Sequence, residues 1–92
     1  MTVRIRGLGQ FRSIFGEQAQ SINLSYGDRL KDLLRAVQGK WADSLPSHLW
    51  DHENRTVKRP AVLMVEGKRV TDINTPLKEN QEVLITKISV GG

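Results

Sequence analysis

The chain has 92 residues and a formal net charge of +4, from 14 basic and 10 acidic side chains. That length holds one domain and no second core. It contains no cysteine, which excludes disulfides, thiolate metal sites and thiol catalysis by this chain, and no apolar run approaches the roughly 18 residues of a membrane span.

The first residues, Met1-Thr2-Val3-Arg4-Ile5-Arg6, alternate apolar and charged side chains. Period two is the signature of a strand with one buried face. The same stretch has no apolar h-region of a signal peptide, so a cytoplasmic protein is expected. Gly7-Leu8-Gly9 loosens the strand. Phe11, Ile14 and Phe15 then read as apolar anchors of a turn that ends at Gly16. Residues 21–25 alternate again, with Ile22 and Leu24 inward, so the two strands are expected to form an antiparallel hairpin.

Tyr26-Gly27 breaks the second strand, and Asp28 stands where a helix N-cap is expected. Leu30, Leu33, Leu34 and Val37 fall at i, i+3, i+4, i+7, one face of an α-helix that packs on the sheet. Gly39 is the expected stop, with Trp41 able to extend the apolar face by a turn. Residues 42–59 are irregular. Pro46 breaks a helix, residues 51–55 read as a loop, and Leu45, Leu49 and Trp50 are expected to dock the segment on the body of the domain. His48 and His52 have i, i+4 spacing but no third placed ligand, so a metal site is not expected.

Pro60 opens a nearly continuous apolar run, residues 61–65, which predicts a central strand buried on both faces. Glu66-Gly67-Lys68 turns it into a short strand. Residues 72–77 read as a loop with apolar anchors. Residues 78–81 read as a turn, with Asn80 suited to a left-handed conformation. The last strand covers residues 82–88. The order is strand, strand, helix, strand, short strand, strand. A helical crossover would pair the two terminal strands in parallel at the centre of a mixed sheet. The expected fold is therefore α+β: a β-grasp, with four to five strands and one main helix on one face. Residues 1–88 would form that domain, and 89–92 a flexible tail.

The tail ends in Gly91-Gly92. With Gly92 as the terminus, a bare α-carboxylate sits on a thin tether, because glycine has no Cβ and accepts conformations closed to other residues. Ile88 to Gly92 would span roughly 17 Å at about 3.3 Å per residue, enough to thread a narrow channel in a partner. Thr86, Lys87, Ile88 and Val90 precede the glycines and would lie at the mouth of that channel. The basic residues are spread along the chain, and no basic-aromatic interleaving suggests a nucleic-acid surface. The charge favours an acidic partner surface or a weak, unspecific attraction to nucleic acid.

Several stretches, in order, resemble the ubiquitin-like sulfur carriers of the MoaD/ThiS family. Residues 11–16 are similar to that family's segment after the first strand, and 26–34 to its helix start. Val65-Glu66-Gly67-Lys68-Arg69-Val70 resembles its V-N-G hairpin. Residues 75–83, Thr75-Pro76-Leu77-Lys78-Glu79-Asn80-Gln81-Glu82-Val83, resemble its T-P-L-K-D-G-D-E-V turn. The resemblance covers nearly the whole chain and implies the ubiquitin-like β-grasp.

It also implies a role as a protein cosubstrate rather than an enzyme, or as the small subunit of a molybdopterin synthase. An adenylating enzyme of the ubiquitin-activating type (MoeB/ThiF-like) would spend ATP on the Gly92 carboxylate. Sulfur would replace AMP, and the thiocarboxylate would be delivered to a synthase, MoaE-like or thiazole synthase-like. The carrier itself would bind no cofactor, metal, nucleic acid or membrane. The tail lacks the prolines of molybdopterin carriers and looks more like that of the thiamine carriers. The length and residues 42–59 look more like the long MoaD-like and cysteine-biosynthesis carriers. The acceptor therefore stays open among molybdopterin, favoured, thiamine, next, cysteine, a thiolated tRNA base and another metabolite. The alternatives are a ubiquitin-like modifier joined to lysines through Gly92, and a β-grasp binding module with no chemistry of its own.

Overall fold

A computed structural model describes residues 1–88. The expectations that fall on residues 89–92, among them Val90, Gly91 and Gly92, lie outside the described residues. Strand β1 (Thr2–Gly7) is followed by a short helix α1 (Gln10–Phe15), strand β2 (Gln20–Asn23) and the main helix α2 (Leu30–Trp41). A 3-10 turn (Ala42–Ser44) leads to a small hairpin of β3 (Trp50–Asp51) and β4 (Thr56–Val57). Strands β5 (Ala61–Val65), β6 (Lys68–Val70) and β7 (Glu82–Lys87) complete the described elements.

The main sheet has the order β2-β1-β7-β5-β6. Strand β1 pairs with β2 antiparallel and with β7 parallel. Strand β5 pairs antiparallel with both β7 and β6. The last strand is thus the middle one, which a parallel pair of chain-end strands requires once a helix carries the chain across. This is the β-grasp arrangement. Val3, Ile5, Leu63, Val65, Val83 and Ile85 point from one face of the sheet into a core closed by Leu30, Leu33, Leu34 and Val37 of α2. Each such side chain, fully buried, contributes about 1.5–3 kcal/mol.

Four expectations need correction. Phe11, Ile14 and Phe15 lie on a helix, α1, rather than a turn; their i, i+3, i+4 spacing puts Phe11 and Phe15 into the core while Ile14 packs against it. Asp28 is not the N-cap of α2. Its carboxylate accepts the Ser25 N–H at 2.9 Å and closes the preceding turn. The first N–H groups of the helix find backbone partners instead: Leu30 donates to the Thr75 carbonyl at 2.9 Å and Lys31 to that of Ile73 at 2.7 Å, while Asp32 accepts the Arg29 N–H at 2.8 Å. Gly39 does not stop the helix, which runs on to Trp41, where the indole meets the Phe15 ring edge-on at 4.9 Å. Strand β5 is interior to the sheet but has helix cover on one face only; on the other, Val62 is buried outside the main core cluster and Met64 is half-buried.

Residues 42–59 do dock, through Leu45, Leu49 and Trp50, all buried. The Trp50 Nε1–H donates to Gln38 Oε1 at 2.8 Å, and Gln38 Nε2 donates to the His52 carbonyl at 3.1 Å. The β5–β6 turn places Glu66 and Gly67 at φ of 51° and 78°, the double positive φ of a type I′ hairpin. Asn80 has φ of 64°, as expected. No helix among the described residues is long and apolar enough to cross a membrane.

Candidate functional site: the open sheet face and the end of the central strand

Alternation divides each strand between the helix side and the other side of the sheet. Because Val3, Ile5, Val83 and Ile85 face the helix, Arg4, Arg6, Leu84 and Thr86 face away from it. The register aligns Arg6, Leu84, Met64 and Arg69 across four strands, with Val62 opposite Thr86 in the next row. The helices lie on the other side, so among the described residues this face is open.

Among the described residues, two grooves with apolar linings lie on it. One, of about 400 Å³, is floored by Leu8, Met64 and Leu84 and rimmed by Arg6, Glu66 and Glu82. The other, of about 290 Å³, is bounded by Arg59, Pro60, Val62, Arg69 and Ile88. Their electrostatics differ. Glu82 sits between Arg4 and Arg6, at 3.9 and 3.7 Å, and offsets part of their charge. Arg59 and Arg69 are exposed and have no ion pair among the described residues.

The residues expected at a channel mouth divide between faces. Thr86 is half-buried on the open face, opposite Val62. Lys87 is exposed and has the helix-side parity of Val83 and Ile85. Ile88 lies beyond the end of β7, where its N–H donates to the Pro60 carbonyl at 3.0 Å, and its side chain borders the smaller groove. Val90, Gly91 and Gly92 lie outside the described residues. Leu8, Val62, Met64, Leu84, Arg59 and Arg69 did not stand out in the sequence. Strand register aligns Met64, Leu84 and Arg69 and sets Val62 in the next row; the apolar run that holds Val62 and Met64 reads in the sequence as buried on both faces, and the one-sided helix cover turns those two outward.

His48 and His52 are both exposed. His52 Nε2 lies 3.2 Å from the Ala42 carbonyl oxygen, a contact that ties the small hairpin to the end of α2. Among the described residues no three His, Asp or Glu side chains gather as a metal site would require.

The backbone resembles several solved structures. SAMP1 of Haloferax volcanii, a small archaeal modifier protein, superposes with a TM-score of 0.79 at 12% identity over 100% of both chains. The fold is the ubiquitin-like β-grasp. A putative molybdopterin converting factor subunit 1 from Pyrococcus furiosus gives 0.70 at 19% identity, over 95% of this chain and 97% of that one. A protein–protein complex of subunits 1 and 2 of molybdopterin-converting factor from Helicobacter pylori contains a chain that gives 0.64 at 22% identity over 100% of both. At these identities the likeness is one of fold, and it is to the group of proteins that the sequence motifs resemble. No family model matches this chain, and no curated protein matches it in sequence.

Proposed function

We propose that the chain is a ubiquitin-like sulfur carrier whose Gly92 carboxylate is adenylated and then converted to a thiocarboxylate. The observation that carries this reading is the end of β7. The central strand of a β-grasp stops at Lys87, and the sequence then places Gly91-Gly92 after only Ile88, Ser89 and Val90. A carboxylate resists nucleophiles until one oxygen becomes part of a leaving group. Attack of the carboxylate on the α-phosphate of ATP, with loss of pyrophosphate, gives an acyl adenylate. Hydrosulfide then adds to the acyl carbon, AMP departs with the C–O bond's electron pair, and loss of the S–H proton leaves the thiocarboxylate.

The resulting thiocarboxylate supplies nucleophilic sulfur without a cysteine, which suits a chain that has none. No general acid or base is required of the carrier, so it acts as a cosubstrate. The activating enzyme uses ATP. A synthase accepts the sulfur, and a molybdopterin-type acceptor is favoured over a thiamine-type one, in keeping with the converting-factor subunits that share the fold. Residues 1–88 serve as the rigid handle and 89–92 as the reactive tail, with Thr86, Lys87, Ile88 and Val90 at the partner's channel mouth. The reading implies a cytoplasmic protein.

Likeness to a small archaeal modifier protein supports a second reading, in which Gly92 is joined to lysines of other proteins. Intact-mass measurement on protein purified from its own host separates the two. Exchange of one oxygen for sulfur at Gly92 supports the carrier; Gly-Gly remnants on lysines of other proteins support the modifier. Deletion of Gly92 is expected to abolish activity with the melting temperature unchanged. Retained activity after that deletion would overturn both readings and leave a binding module.

A further inference from the structure

We propose that the groove bounded by Arg59, Pro60, Val62, Arg69 and Ile88 is the electrostatic half of the docking surface. Its occupant is a partner that presents carboxylates around an apolar side chain next to its channel. The inference rests on the carrier reading for the partner's identity and on the structure for the surface.

Three observations select this groove over the one floored by Leu8, Met64 and Leu84. First, its cations have no acidic partner among the described residues. Arg4 and Arg6 share Glu82, whereas among the described residues no acidic side chain lines the smaller groove. Secondly, its floor is apolar, with Val62 only 5% exposed, so a partner side chain seated there would be desolvated while carboxylates reach the two guanidiniums. Guanidinium is suited to such contacts because it binds carboxylate with two parallel hydrogen bonds. Thirdly, Ile88 forms part of its wall. Anything bound there lies directly beside the origin of residues 89–92.

Other occupants fit less well. A second copy packed face to face would bring like charges together, because a two-fold contact sets each patch against itself or its neighbour. Single-stranded nucleic acid needs aromatic platforms for its bases. The chain's five aromatic residues are all elsewhere: Phe11, Phe15 and Trp50 in the core, Trp41 against Phe15, and Tyr26 in the turn after β2. An acidic protein surface satisfies both the apolar floor and the charge.

The test uses the full chain and the host's purified ubiquitin-activating-type adenylating enzyme. The double variant Arg59→Glu/Arg69→Glu is compared with Lys31→Glu/Arg35→Glu, which makes the same change of net charge on exposed positions of α2. The first is expected to slow association roughly tenfold and to flatten its salt dependence, and the second to leave both near wild type. Resonances of Val62, Arg69 and Ile88 in the labelled wild-type chain are expected to shift on titration with the enzyme.

Equal effects of the two variants, or no effect of the first, would overturn the assignment. So would the same shifts produced by single-stranded DNA, or by raising the chain's own concentration. Wild-type chain that the enzyme neither binds nor adenylates would refute the carrier reading itself. Normal adenylation of wild type with an unaffected Arg59/Arg69 variant would refute only the groove.

Discussion

Gly7 shows how a single residue can be fixed by a contact made several residues later. A Cβ at that position would lie 2.5 Å from the backbone carbonyl carbon and oxygen of Phe11, where α1 turns back over the end of β1. Gly7→Ala is expected to destabilise the fold by roughly 1–3 kcal/mol, read in denaturant unfolding, because backbone must move to admit the methyl. In the sequence Gly7 was legible as a strand terminator, whereas its crowding depends on α1 being a helix. Asp51 makes a local argument instead. It accepts the Glu53 and Asn54 N–H groups, both at 3.0 Å, and the Asn54 side-chain amide at 2.7 Å. The bonds from Asn54 hold its carboxyl below the ordinary 3.8. A lowered folded-state pKa gives stability that is fully present above the ordinary value and lost as pH falls through the lower one. The Glu53 and Asn54 amide resonances are therefore expected to titrate with a midpoint below 3.8, and Asp51→Asn to remove the transition. A midpoint at or above that value would contradict the account.

Among the elements, α2 was the most legible. Leu30, Leu33, Leu34 and Val37 have helical spacing, and all four are buried. Its start was misjudged because Asp28 has the chemistry of a cap, yet the free N–H groups are taken by carbonyls of Ile73 and Thr75. Those lie more than forty positions away in the chain, and local sequence carries no sign of them. The β3–β4 hairpin was hidden for a similar reason. Two paired residues per strand are too few for a periodic signal, and the hairpin has marginal stability of its own. Tertiary anchoring replaces local propensity, chiefly through Trp50 and its bond to Gln38. Trp50→Ala is expected to lower stability by about 3–5 kcal/mol, measured by urea unfolding. Amides of β3 and β4 should lose hydrogen-exchange protection well beyond that global loss. Equal loss throughout the sheet would mean that the hairpin is an integral part of the core.

For the whole molecule, β7 unites stability and proposed function. It lies between β1 and β5, so its backbone is paired on both sides. Amides of β1 and β7 are expected to exchange at the global unfolding limit and more slowly than those of α2 or β6; slower exchange in α2 would displace the sheet centre as the most stable unit. A rigid central strand that leads straight into the proposed reactive tail would hold the tail's origin in place while a partner draws it in. The sequence by itself determined the chain order of the main-sheet strands, the buried face of α2 and the parallel pairing of β1 with β7, because each is written in local periodicity or in chain order. Tertiary structure alone decided that Val62, Arg59, Arg69 and Ile88 share one groove, that Glu82 offsets part of the charge of the β1 cations, and that Thr86 and Lys87 face opposite ways. Those facts follow from register and from what covers each face of the sheet, and both depend on pairings between residues far apart in the chain.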